Sequence, residues 1–365
     1  MKIRDVIKSL EELAPPSLQE SYDNSTLIVG DKNATVEKVL LTLDCTEEVV
    51  EEAKAKGCNL IVAHHPIVFS GLKSLTGKNY IERTVIKAIK NDIAIYAIHT
   101  NLDNVQKGVN SKIAEKLDLV NTAILSPKAG YLTKLTFFCP IQDSPKVREA
   151  IFEAGAGQIG EYDACSFNLK GEGTFRAGEN TNPHVGEKGN LHTEEEQRVE
   201  VILPTYLEGK VVQALKAAHP YEEVAYDLYP LKNSWGQVGS GMIGELKEEM
   251  DMVDFLKSLK DKLNTPLIRH TKAHQQTVKK VALCGGAGSF LLNAAKAKEA
   301  DVFITGDFKY HQFFDAEDQI VIADVGHYES EQFTPELLKD YLEKLDLDIE
   351  LNLSGVSTNP IHYLK

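Results

Sequence analysis

Cysteine is scarce and scattered in this chain. The five residues, Cys45, Cys58, Cys139, Cys165 and Cys284, form no C-x-x-C pair. An odd, dispersed set fits neither a disulfide framework nor a structural zinc knot, and reads as reduced thiols of a cytoplasmic protein. Long apolar runs are also missing, since none approaches the ~18 residues that a membrane span requires. The N-terminus, MKIRDVIKSLEEL, spaces its charges at helical intervals and has no apolar core, so no signal peptide is expected there. Basic clusters are absent as well. Lys and Arg number 40 against 54 Asp and Glu, a formal net charge of -14. That balance disfavours nucleic acid as a partner, because a protein that tracks a phosphate backbone carries a basic footprint.

What is present is an ordinary soluble composition, 42% hydrophobic and 26% charged over 365 residues. This length suggests two or three domains with ample core. Short apolar runs alternate with amphipathic stretches through the first third. They predict a helix over 3–13, strands at 27–30, 38–43, 59–63 and 93–98, and helices near 80–90 and 107–117. Such alternation marks a largely parallel α/β sheet. From about 127 to 232 the order becomes strand, helix, strand, strand, helix, strand, with a long polar loop over 171–196. That order is the ferredoxin-like split motif, large enough for a domain of its own. Alternation of the first kind resumes at 233 and runs to a long C-terminal helix. The expected organisation is one α/β body in two halves, 1–126 and 233–365, interrupted by an inserted ferredoxin-like domain, 127–232.

The run Asn59 to Ala63 ends in His64-His65-Pro66. Ligands in open α/β sheets gather at the carboxyl ends of strands. Adjacent strand residues point to opposite sides, so these two imidazoles suit two neighbouring ions better than one. A second apolar strand ends in His99, with Asp103 four residues on. Near the C-terminus His327 is followed by Glu331 at the same helical spacing, on one face. His64, His65, Asp103, His327 and Glu331 thus offer three imidazoles and two carboxylates. Carboxylates can bridge two divalent ions, and the mixed set suits zinc, iron, manganese or cobalt. His99 and Asp44, also at strand ends, are candidates for orienting a ligand or handling protons. Singly, each has a bland reading as a turn former, a helix-dipole partner or a loop hydrogen bonder. All of them falling at strand ends favours the metal reading.

Other signals are weaker. Gly71–Asn79 has five residues between its glycines and Asn79 where a phosphate-binding loop needs Ser or Thr, so that reading is rejected. Gly285-Gly286-Ala287-Gly288 follows a strand and suits a tight turn better than an anion site. His219-Pro220-Tyr221-Glu222-Glu223 reads as a helix-ending turn, with binding by His219 or Glu222 a minority reading.

The stretches VAHHPIVFSGLKSL, HTNLDNVQKGVN and GHYESE resemble the dinuclear-metal-centre family of GTP cyclohydrolase one, type two homologues, also called NGG-interacting-factor-three-like. The likeness spans the chain, because GxGxIGxY (Gly155 to Tyr162), GTF (Gly173 to Phe175) and HPYEE resemble the insert of its longer bacterial members. That insert is similar to PII and CutA signalling folds. The resemblance implies metal ligation by His64, His65, Asp103, His327 and Glu331, two ions per subunit, and a homo-oligomer, specifically a hexameric ring. It further implies metal-dependent hydrolysis such as GTP ring opening, with phosphoester hydrolysis fitting the same site. The alternative is a regulatory metal-binding scaffold whose insert senses a small molecule. The implied partner is a small-molecule substrate or effector such as a nucleotide, and the lack of long apolar runs adds no membrane.

Overall fold

Apolar runs of four or five residues become the central strands of two sheets. The computed structural model of the protein describes residues 1–273 and 276–364. In the first sheet the strand order is Leu27–Val29, Ala94–Ala97, Leu60–Ala63, Lys38–Thr42 and Glu350–Leu353. Its centre is parallel, with Leu40 beside Ile61 and Ile61 beside Ile95. Every residue of Leu60–Ala63 and Ala94–Ala97 is buried, as parallel strands covered on both faces require. Helix Glu47–Lys56 packs Val49, Val50 and Ala53 onto this sheet. Thr46 caps its start by accepting from the Val49 N–H, and Gly57 at φ +70 ends it.

The second sheet runs Arg269–His270, Val321–Asp324, Val302–Gly306, Thr277–Ala287, Ser234–Asp251 and Val120–Ala129. Ala282, Phe303 and Ile322 lie side by side in its parallel centre and share one buried cluster with Leu291 and Ala295. Phe303, Ile322 and Leu291 each contribute about 1.5–3 kcal/mol on burial. The carboxyl ends of these parallel strands deliver the residues of the next subsection.

The chain divides into two compact units, residues 1–127 with 237–365, and residues 128–236. In the second unit, strands Leu132–Pro140, Phe167–Arg176, Leu191–Pro204 and Tyr226–Leu231 and helices Ser144–Glu153 and Glu208–Ala218 follow the order strand, helix, strand, strand, helix, strand. The sheet is antiparallel, with Leu191–Pro204 and Tyr226–Leu231 flanking Leu132–Pro140. Phe137, Val199 and Val201 pack against Val147, Ile151, Val211 and Leu215 of the two helices.

Two elements differ from the sequence expectation. The two ends of the polar stretch 171–196 form a hairpin, with Phe167–Arg176 paired to Leu191–Pro204 as far as Arg176 beside Leu191. Backbone hydrogen bonds hold this ribbon while its side chains stay largely exposed, so no apolar alternation betrays it. The C-terminal helix, Thr334–Glu343, is shorter than expected, and Glu350–Leu353 then joins the first sheet parallel to Lys38–Thr42. All five cysteines are free. Among the described residues, no helix is long and apolar enough to cross a membrane.

Candidate metal centre

The His-His pair leaves the strand at once. His64 and His65 lie in a bend after Ala63, their N–H groups donating to the Thr42 and Leu43 carbonyls. The bend lets neighbouring side chains converge, with ring centroids 4.9 Å apart. His99 closes in from the adjacent strand at 5.3 Å from both rings. From the second sheet, helix His327–Glu331 brings the His327 ring to 5.3 Å from His65.

Each imidazole is fixed through Nδ1. His64 donates to the Ile98 carbonyl at 2.8 Å, and His65 to Asp44 Oδ1 at 2.7 Å. His99 donates to Asp23 Oδ1 and His327 to Asp307 Oδ2, both at 2.7 Å. All four partners are acceptors, so Nδ1 carries the proton and Nε2 is the ring's remaining ligand atom.

Glu331 lies between the histidines. Its Oε2 is 3.0 Å from His65 Nε2 and 3.2 Å from His327 Nε2, while Oε1 is 4.0 Å from His64 Nε2. Asp103 Oδ1 stands 3.5 Å from His64 Nε2. Among the described residues, His64 Nε2 and Asp103 Oδ1 are both buried without a hydrogen-bond partner. Leaving such an atom unsatisfied costs about 1–3 kcal/mol, a cost that a shared cation would remove.

The electrostatics are those of a buried ionic cluster. Burial holds the His64 imidazole neutral, with its pKa lowered to about 3. Burial opposes charge on His65 too, but bonds to Asp44 and Glu331 outweigh it and raise the pKa to about 10. His327 is raised to about 9, where Glu331 and Asp307 outweigh burial. Glu331 is held well below the usual carboxylate range by His327 and His65 despite its burial. Burial and the Glu331 charge push Asp103 well above it.

Three sets of ligand atoms lie within 4.8 Å of one another: His64, His65 and His99; His65, His327 and Glu331; and His64, Asp103 and Glu331. The sets share members, so they adjoin. Imidazole nitrogen with carboxylate oxygen is the donor chemistry of zinc, iron, manganese and cobalt, and the residues present fit such ions. The five residues singled out by sequence all lie here, with His99 among the ligand-forming groups and Asp44 behind His65.

Sequence reasoning passed over Asp23, Asp307 and Thr358. Asp23 anchors His99, Asp307 anchors His327, and Thr358 donates to Asp44 Oδ2 at 2.6 Å. Aspartate at the end of a strand was the available signal for Asp307. The minor motifs resolve into structure. The Gly285, Gly286 and Gly288 amides donate to Asn110, Ser330 and Thr305 side chains, which leaves none of the three for an anion. Gly286, at φ +62, lets the backbone approach Glu331, whose Oε1 would lie 2.5 Å from an added Cβ. The amides of Thr76 and Lys78 in the rejected phosphate loop point at the chain's own Glu82 carboxylate. His219 uses both nitrogens internally, donating to the Phe138 carbonyl and accepting from the Tyr221 N–H.

Comparison with known proteins places this geometry in context. The family model described as Duf34/NIF3 (NGG1p interacting factor 3) matches residues 1–360. A protein of Halalkalibacterium halodurans named "GTP cyclohydrolase 1 type 2 homolog" is 41% identical over 365 residues, covering 98% of each chain. A Bacillus subtilis protein of the same name is 37% identical over 99% of this chain and 98% of its own. The crystal structure of a Bacillus cereus protein related to NIF3 superposes with a TM-score of 0.87 at 39% identity, over 100% of this chain and 99% of that one. The chain belongs to the Duf34/NIF3 family.

Proposed function

We propose that this protein binds two divalent metal ions and is a metal-dependent hydrolase, opening the ring of GTP or cleaving a phosphoester. The carrying observation is the pair of buried, unpartnered atoms, His64 Nε2 and Asp103 Oδ1, 3.5 Å apart beside Glu331. His64, His65, Asp103, His327 and Glu331 would hold the ions, with Glu331 suited to bridging because its two oxygens face different histidines. When bound, such ions supply Lewis-acid polarisation and lower the pKa of water. Asp44 orients His65. Asp23 orients His99, whose Nε2 would hold or pass a proton. The relatives' printed name supports a nucleotide substrate. The family resemblance supports a homohexamer and reads the inserted unit as a ferredoxin-like domain of the PII and CutA kind.

One observation favours a regulatory scaffold as the second reading. The inserted unit has a hollow of about 670 Å³ lined by Phe138, Phe175, Glu196, Arg198 and Tyr221 among others. Phe138 and Arg198 alternate with the helix-packed Phe137 and Val199, so the hollow lies on the helix-free face of its sheet. A small effector there would make the metal centre a sensor's output.

The deciding experiment offers GTP and simple phosphoesters to chelator-stripped and metal-reloaded protein. Turnover is expected to vanish with the chelator, return with metal, and fall to background in Asp103→Ala. His99→Ala is expected to lower kcat by about 100-fold while retaining metal. Equal turnover in wild type and Asp103→Ala across a broad substrate panel hands the assignment to the scaffold.

A further inference from the structure

Two large aromatic side chains stand exposed beside the metal centre. Tyr22 is 65% and Phe69 48% exposed. They are not scattered singly. Their ring centroids are 6.2 Å apart, and Phe69 in turn lies edge-on to the His99 ring at 6.3 Å. Single exposed apolar residues need no explanation, but a contiguous pair ending on an imidazole of a polar cluster does.

The local chain is built to hold this pair in place. Asp23, next to Tyr22, turns inward and accepts from His99, Thr100 and Ser25. Asn24 donates its side-chain amide to the Val68 carbonyl at 2.6 Å, tying the turn that carries Tyr22 to the loop that carries Phe69. The Tyr22 hydroxyl is raised in pKa by partial burial and by the charges of Glu20, Asp23 and Asp103. The ring therefore stands within electrostatic reach of the cluster. Asp23 and Asn24 are hydrogen-bonded inward, while the two rings stand largely exposed.

We infer that Tyr22 and Phe69 form a stacking platform for the planar ring of a heteroaromatic ligand, which places that ring against His99 at the edge of the metal centre. The inference rests on the hydrolase reading and narrows it to substrates carrying a planar heterocycle. Aromatic faces recognise such rings with little regard to their substituents, so the platform selects the ring class while the imidazole and carboxylate cluster addresses its polar groups. A compound with the same sugar and phosphate but no ring gains nothing from the platform.

The test is calorimetric titration with guanosine, adenosine, nicotinamide and ribose 5-phosphate. It uses metal-loaded and chelated protein, with metal content measured in every sample. Phe69→Leu and Tyr22→Leu are expected to weaken at least one ring-bearing probe by about tenfold. Phe69→Trp should restore binding, and ribose 5-phosphate and metal content should not change. The platform is overturned if no ring-bearing probe binds wild type, or if all bind the Leu variants as well as wild type. A protein that takes up no metal yet still loses ring binding on Phe69→Leu would instead overturn the hydrolase reading and keep the platform.

Discussion

Four imidazoles in this protein share one arrangement, Nδ1 tied to an oxygen acceptor and Nε2 turned to a common centre. The arrangement has a consequence for stability that pH reveals. In chelated protein His65 and His327 have pKa values raised to about 10 and about 9. Both lie above the ~6.5 of an unfolded histidine. Their contribution is therefore complete below pH ~6.5 and is lost as pH rises through 9 to 10. His64 works in the other sense. Its pKa of about 3 lies below the unfolded value, so its contribution is present above ~6.5 and is lost as pH falls. Thermal melts of chelated protein should thus peak near neutrality and decline toward pH 10, and His327→Gln should flatten the alkaline limb. An alkaline limb of the same slope in wild type and His327→Gln would contradict the assignment. At this scale the sequence was partly legible. His64, His65, Asp103, His327 and Glu331 are chemically distinctive in the bend and short helices that follow apolar strands. Asp23 and Asp307 look like turn residues, and their partners lie 76 and 20 positions away.

The last strand and the tail beyond it carry a role that no periodicity announces. Glu350–Leu353 is only four residues long and joins the edge of a sheet formed by the other end of the chain. Past it, Ser354 and the Gly355 N–H donate to Glu52, and Thr358 donates to Asp44. Asp44 is thereby held on both oxygens, by His65 on one and Thr358 on the other. Removing the second contact frees the carboxylate to rotate and loosens His65. Thr358→Val is expected to weaken metal binding about tenfold without unfolding the protein, and Thr358→Ser to restore it. Competition against a chromogenic chelator measures this. Equal affinity in Thr358→Val and wild type would show that the tail merely covers the sheet. The central strands were legible because they are continuous apolar runs. The hairpin of Phe167–Arg176 and the tail strand were not, because mostly backbone pairing defines them.

For the whole molecule, the governing fact is that the parallel centres of both sheets belong to one unit and direct strand ends toward one cluster. The alternation of strand and helix foretold the parallel centres of the sheets, and the family resemblance pointed to the residues that cluster here. Neither disclosed Asp23 and Asp307, which anchor His99 and His327, or the aromatic pair beside His99. A cluster with two buried unpartnered atoms and a carboxylate among three imidazoles is poorly explained by stability alone. Metal content decides between these explanations. Elemental analysis of reloaded wild type and Glu331→Ala, with circular dichroism to check the fold, measures it directly. Two ions per chain in wild type and no more than one in the folded variant are predicted. No bound ion in wild type, or two retained in Glu331→Ala, would contradict the metal reading.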